Sequence, residues 1–146
     1  MLLGEYHHNI DDKGRLVIPT KYREELGSEF VITRGIERCL YVYSKIEWEK
    51  LVAKLNTLPF TKKDARTFMR SFFSGATVGK FDNSGRINIT SPLVSYADLT
   101  KECVIIGVND RLEIWSEDAF TKFMDDNSSE LEEIAEHLFE VSNETL

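Results

Sequence analysis

Apolar and polar positions alternate in short runs along this chain, and the pattern of runs occurs twice. The segment GEYHHNIDDKGRLVI, from Gly4 to Ile18, predicts a strand ending at Ile10, a tight turn DDKG and a second strand RLVI. The segment GATVGKFDNSGRINI, from Gly75 to Ile89, predicts the same order: a strand ending at Phe81, the turn DNSG and the strand RINI. An offset of 71 residues brings Gly4, Asp11, Gly14, Arg15 and Ile18 onto Gly75, Asp82, Gly85, Arg86 and Ile89. After a small slip of register, Leu26, Glu29, Val31 and Ile32 match Leu99, Glu102, Val104 and Ile105. Leu40 and Ser44 then match Leu112 and Ser116.

Each copy has the same local chemistry. Gly14 and Gly85 supply the positive φ of a short hairpin turn, and Asp11 and Asp82 can accept the turn's backbone N–H groups. Pro19 in one copy and Ser91-Pro92 in the other open a short helix, with Ser91 as N-cap and Pro92 at the first helical position; Gly27 closes the first helix. The runs FVITR and LYVY, then CVIIG and LEIW, predict two more strands per copy. Ser44 and Ser116 cap the helices that follow, Ser44 in a capping box with Glu47. The unit is β-β-α-β-β, roughly 40 residues, too small to bury an adequate core alone. The fold class is therefore α+β, mainly β, with each unit needing a partner. The other copy can be that partner, and edge strands can also pair between subunits, which favours a homo-oligomer.

This divides the chain into a first module at 4–47, connecting helices at 48–74, a second module at 75–119 and an acidic helical tail at 120–146. Helices are expected over 44–56 and 61–73, the second with Thr61 as cap. Ala65, Phe68, Met69 and Phe72 form an apolar stripe on it, and Lys62, Arg66 and Arg70 recur every four residues on another face. That basic row is either a solvated face or a docking surface for DNA or for a neighbour's acidic tail. In the tail, SSELEEIAEHLF predicts a peripheral helix with a Ser129/Glu132 capping box and Leu131, Ile134, Ala135 and Leu138 on one side.

The overall charge of −7 argues against a nucleic-acid partner until it is divided. Residues 1–80 hold 14 Lys/Arg against 10 Asp/Glu, and residues 81–146 hold 4 against 15. Lys122 against Asp125, Asp126, Glu130, Glu132, Glu133, Glu136, Glu140 and Glu144 leaves the tail at −7, so the rest of the chain is neutral and its first half basic. No apolar run is long enough to span a membrane. Cys39 and Cys103 stand far apart and outside any Cys/His cluster, which argues against a disulfide framework or a zinc site. A reducing cytoplasm fits best.

Candidate chemistry is sparse. His7 and His8, adjacent on a strand, point to opposite faces and cannot share a metal. Neither His-Glu-x-x-His, Gly-x-Ser-x-Gly nor a Walker sequence occurs. Asp11 and Asp12 suit a turn better than acid–base work, so no enzyme, cofactor or small-molecule substrate is expected. Arg15 and Arg86, each following a turn glycine, are the distinctive residues, with Lys13 beside the first. Two roles are open to them: a fork onto guanine or a phosphate, or an ion pair with Asp11 and Asp82 that braces the turn. One arginine can do both, since a carboxylate need not engage all its donors.

GEYHHNIDDKGRLVIPTKYR, LPFTKKDARTFMRSFFSGA and DNSGRINITSPL, in this order, resemble the MraZ family, which is related to the AbrB and MazE type of DNA-binding module. The resemblance covers Met1 to Leu138, and its two Asp-x-x-x-Arg motifs are matched by Asp11 with Arg15 and Asp82 with Arg86. It implies swapped hairpins forming a pseudosymmetric half-barrel, assembly into a ring, and a nucleoid-associated regulator. Such a regulator binds short direct repeats in double-stranded DNA upstream of its own division and cell-wall operon. It also implies Arg15 and Arg86 as leading DNA contacts, then Lys13, with Lys21 and Arg23 as phosphate contacts. Ser84, Pro92 and Val94 replace Lys13, Lys21 and Arg23 in the second copy, so the first copy is expected to make most phosphate contacts. The alternative is a non-enzymatic protein-interaction or antitoxin-like module acting through the acidic tail.

Overall fold

A computed structural model describes residues 1–145, with side-chain surroundings described through Glu140. Glu144, counted above in the tail's charge, and Leu146 lie outside the described side chains.

The elements follow in the order β1 (Leu2–Asn9), β2 (Arg15–Val17), α1 (Thr20–Leu26), β3 (Glu29–Arg34), β4 (Leu40–Ser44), α2 (Lys45–Leu55) and α3 (Lys63–Ser74). The second repeat gives β5 (Thr77–Lys80), β6 (Arg86–Asn88), α4 (Ser91–Tyr96), β7 (Glu102–Asn109) and β8 (Leu112–Ser116), followed by α5 (Glu117–Ser128) and α6 (Leu131–Thr145). The α+β class expected from the pattern is the one observed.

The two repeats exchange strands within one chain. Antiparallel pairing builds a six-stranded sheet in the order β1-β7-β8-β4-β3-β5, while β2 and β6 form a separate two-stranded ribbon. Exchanging each strand for its repeat counterpart reverses this order into itself, so a pseudo-twofold axis passes between β4 and β8. The same relation pairs Leu16 with Ile87 at the centre of the ribbon. β1 therefore does not pair with β2 as a simple hairpin. It crosses to β7 of the second repeat, with Leu2 opposite Asn109 and Asn9 opposite Glu102. β5 likewise crosses to β3 of the first. Neither repeat closes its own core, which is why roughly 40 residues suffice for each.

The sheet is covered on both sides. On one side, Leu16, Ile18, Ile87 and Ile89 of the ribbon segments, Tyr22 and Leu26 of α1, and Leu93 of α4 pack on Phe30, Ile32, Val42, Ile105 and Ile114. On the other, Trp48 of α2, Phe68 and Phe72 of α3, and Phe120 of α5 pack on Tyr41, Tyr43 and Trp115. The ring of Trp48 stacks on Phe72 at 5.5 Å, and Phe72 on Phe68 at the same spacing. Cys39 and Cys103 are buried free thiols, and burial pushes the Cys103 thiol up to about 11.

Several caps follow the sequence. The Ser44 hydroxyl accepts the Glu47 N–H at 3.2 Å, Ser116 accepts that of Ala119 at 3.1 Å, and Gly27 ends α1 at φ +81°. Others differ. α3 starts at Lys63 with Lys62, not Thr61, in the cap position. Thr90 rather than Ser91 precedes α4, because the proline-compatible first turn already includes Ser91. Ser129 terminates α5 instead of capping α6.

Candidate nucleic-acid interface

The ribbon is three residues per strand, so its geometry depends on what anchors it. Leu16 and Ile87 send their side chains into the core, each contributing roughly 1.5 to 3 kcal/mol by burial. Strand alternation then directs Arg15, Val17, Arg86 and Asn88 to the opposite, outer face. Arg15 stands opposite Asn88, and Arg86 opposite Val17, so the two arginines are diagonal neighbours across the pseudo-twofold axis.

Each turn is closed locally and then joined to the other repeat. In the first, the Gly14 N–H donates to the Asp11 carbonyl at 3.1 Å, and the Asp11 N–H to that of Arg15 at 3.0 Å; Gly85, Asp82 and Arg86 repeat both bonds at 3.0 Å. The Ile89 N–H then donates to the Gly14 carbonyl at 2.7 Å, and that of Ile18 to Gly85 at 3.1 Å. Gly14 and Gly85 have φ of +79° and +72°, the conformation expected of them.

The aspartates hold the arginines. Asp11 Oδ1 accepts the backbone N–H groups of Lys13 (3.0 Å) and Arg15 (2.9 Å), and its Oδ2 accepts Arg15 Nε at 2.7 Å. Asp82 does the same with Ser84, Arg86 and Arg86 Nε at 2.9, 2.9 and 2.8 Å. Bracing is thus made side-on, through Nε. Among the described residues no hydrogen bond engages the terminal guanidinium nitrogens of Arg15 or Arg86; Arg86 Nη1 comes only to 4.0 Å from Asp11 Oδ2. The two roles open to these arginines are compatible, because the carboxylate fixes the plane while the terminal fork stays available.

These contacts hold both carboxyls below their ordinary value of 3.8. The backbone N–H of the arginine contributes most, followed by its guanidinium and by the N–H of residue 13 or 84. A folded-state pKa below the unfolded one means that the stabilisation is complete above 3.8 and fades as pH falls through the lower folded value. Acidification from about pH 6 to about pH 3 is expected to lower the melting temperature of the wild type more than that of an Asp11→Asn/Asp82→Asn double variant. Calorimetry checks this, and parallel pH profiles would separate acid lability from the turns.

The remaining cations are distributed unevenly. Lys13 is exposed on the first turn. Arg23, although it belongs to the first repeat, serves the second turn. Its Nε donates to the Ile18 carbonyl at 2.9 Å and its Nη2 to Thr20 Oγ1 at 2.7 Å. Its guanidinium lies so close over Gly85 that a Cβ there would be 2.6 Å from it. The counterpart of Arg23 is Val94, which with Lys13 and Gly14 lines a shallow cavity of about 280 Å³ at the first turn. Lys21 is exposed on α1. Its ammonium rests 5.8 and 5.9 Å from the ring centres of Tyr6 and Tyr22, beside Gly4. Gly4 is seven residues before Asp11 along extended chain, roughly 20 Å away.

Asn88 was not singled out by the sequence. It is exposed on the outer face directly opposite Arg15. The available signal was its polarity at the position where the first copy has Val17.

A family model described as "MraZ protein, putative antitoxin-like" matches the chain twice, over residues 1–71 and 72–142. The chain is also 50% identical, over 141 residues, to a protein from Lactobacillus helveticus named transcriptional regulator MraZ, a similarity covering 97% of this chain and 99% of that relative.

Proposed function

The chain belongs to the MraZ family, and from that premise we propose that it is a sequence-specific transcriptional regulator that binds double-stranded DNA through the β2–β6 ribbon. The observation that carries this reading is the pair of symmetry-related guanidiniums, each braced through Nε with its terminal nitrogens unbonded among the described residues, on the outer face of a two-stranded ribbon. A two-stranded ribbon is an element the major groove admits, and an arginine fork matches guanine O6 and N7. Arg15 and Arg86 read bases, and Asn88 is placed to add an adenine contact. Lys13 at the first turn and Arg23 at the second bind phosphates, so each turn has one base-reading arginine and one positioning cation. Asp11, Asp82, Gly14 and Gly85 keep the turns in shape.

The target is a set of short direct repeats upstream of the chain's own division and cell-wall operon, and occupancy there represses by excluding polymerase. A single subunit offers few base contacts, so a homo-oligomeric ring engaging successive repeats supplies affinity, with linkage worth on the order of 10² to 10⁴. The protein works on the nucleoid in the cytoplasm, without a catalytic step. The antitoxin-like alternative has one observation in its favour, the exposed acidic face of α6, which a basic protein partner would fit.

Fluorescence anisotropy with the upstream DNA and a scrambled duplex across a salt series tests this reading. Wild type is expected to prefer the upstream DNA strongly. Arg23→Ala is expected to weaken both complexes alike and to lower the salt slope by about 1, while Lys21→Ala leaves both unchanged. Equal and weak binding of wild type to both duplexes would transfer the case to the protein-interaction alternative.

A further inference from the structure

Helix α6 and the α2–α3 corner carry complementary surfaces that the single chain leaves open. On α6, Leu131, Ile134, Leu138 and Phe139 follow helical spacing and are all exposed, Phe139 at 71%. Beside them, Glu132, Glu136 and Glu140 recur every four residues, a step of about 6 Å along the axis. At the α2–α3 corner, Leu58, Phe60, Ala65 and Met69 with Arg66 and Arg70 line an apolar groove of about 200 Å³. Phe60, 81% exposed, stands at its rim, held there by the Arg66 Nη1 bond to its carbonyl at 2.9 Å. Lys62, Arg66 and Arg70 run beside the groove with the same four-residue step, and among the described residues no carboxylate lies within 4.0 Å of these three.

We propose that the acidic, apolar face of α6 of one copy docks in the α2–α3 groove of a second copy, its Glu132/Glu136/Glu140 row against the Lys62/Arg66/Arg70 row. Matching sign and matching step fix the register, while the apolar stripe closes the groove. Each copy has one ridge and one groove on different parts of its surface. The contact is therefore heterologous and propagates head to tail, closing into a ring where the rotation between successive copies allows it. It lies on the sheet face covered by α2, α3 and α5, away from the ribbon, so assembly leaves the arginines free. The inference rests on the oligomer proposed above but not on its DNA reading.

The test is the oligomeric state of the full chain by light scattering after gel filtration. Three charge-reversal variants are compared: a groove variant (Arg66→Glu/Arg70→Glu), a tail variant (Glu132→Arg/Glu136→Arg) and their combination in one chain. Arg70, Glu132 and Glu136 are exposed and Arg66 is half-buried, and circular dichroism checks that each variant folds. The wild type and the combined variant are expected to assemble, and each two-site variant alone to fall to a smaller species. A mixture of the groove and tail variants is expected to assemble again, because each then supplies what the other lacks. A monomeric wild type, or two-site variants that assemble like wild type, would overturn the proposal. So would a mixture that fails while the combined variant assembles, since that pattern places α6 in its own chain's groove. Binding of each variant to a single-repeat duplex is measured in parallel: unchanged binding with altered assembly separates this contact from the DNA reading, and lost assembly with normal single-repeat binding is the expected pair.

Discussion

Replacing both Arg15 and Arg86 by alanine is expected to lower affinity for the specific site on the order of 10² to 10⁴ fold, with the chain still folded. Each guanidinium that forks onto a base edge is worth about 1 to 3 kcal/mol of discrimination. The two arginines are diagonal neighbours on the ribbon, and Arg86 Nη1 lies 4.0 Å from the Asp11 carboxylate that braces Arg15, so their losses are expected to be coupled rather than strictly additive. On scrambled DNA, where only phosphate attraction operates, the loss is expected to be roughly tenfold or less. Folding should survive because Asp11 and Asp82 keep their backbone N–H donors when the side chains are cut back. Arg15→Lys/Arg86→Lys sharpens the experiment: lysine keeps the charge but has no planar fork, so it is expected to restore binding to scrambled DNA and not the preference for the specific site. Full recovery of that preference by lysine would reduce the arginines to phosphate anchors.

The sequence carried a great deal of this, and the physical reasons for what it lacked are specific. The repeat was legible because its diagnostic residues, Asp11, Gly14 and Arg15 with their counterparts, are set by local turn geometry, which any span of a few residues records. The strand exchange is non-local: nothing near Tyr6 says that its partner is Ile105. That exchange is also what reassigns Arg23. Read in its own copy, it belongs to the first turn, and its loss from the second copy as Val94 suggests an unequal pair of turns. In the folded chain it lies on Gly85 and compensates for Ser84, so the cations are shared more evenly than either copy's composition implies. Lys21 differs: it is exposed, with its ammonium beside two tyrosines assembled by β1 and α1 and beside Gly4.

The same exchange makes the two turn glycines inequivalent, and alanine at each is expected to separate stability from binding. Both have positive φ, a backbone conformation that costs an L-residue roughly 1 to 3 kcal/mol. What the added methyl meets differs. At Gly14 it would run into the Ile89 carbonyl oxygen, a backbone atom next to the bond by which the Ile89 N–H holds the Gly14 carbonyl. Relief requires the ribbon to move away from the turn, so Gly14→Ala is expected to cost well over the φ penalty, about 3 to 5 kcal/mol. At Gly85 the methyl meets the guanidinium of Arg23, the far end of a flexible side chain that can swing aside. Gly85→Ala is expected to cost about 1 to 2 kcal/mol of stability. It should also reproduce the DNA-binding loss of Arg23→Ala, because the displaced guanidinium gives up Ile18 and Thr20. Denaturant unfolding and anisotropy on the same two proteins read these effects separately. Equal destabilisation by the two alanines would mean that the turns do not bear on each other's strands as unequally as Ile89 and Arg23 require.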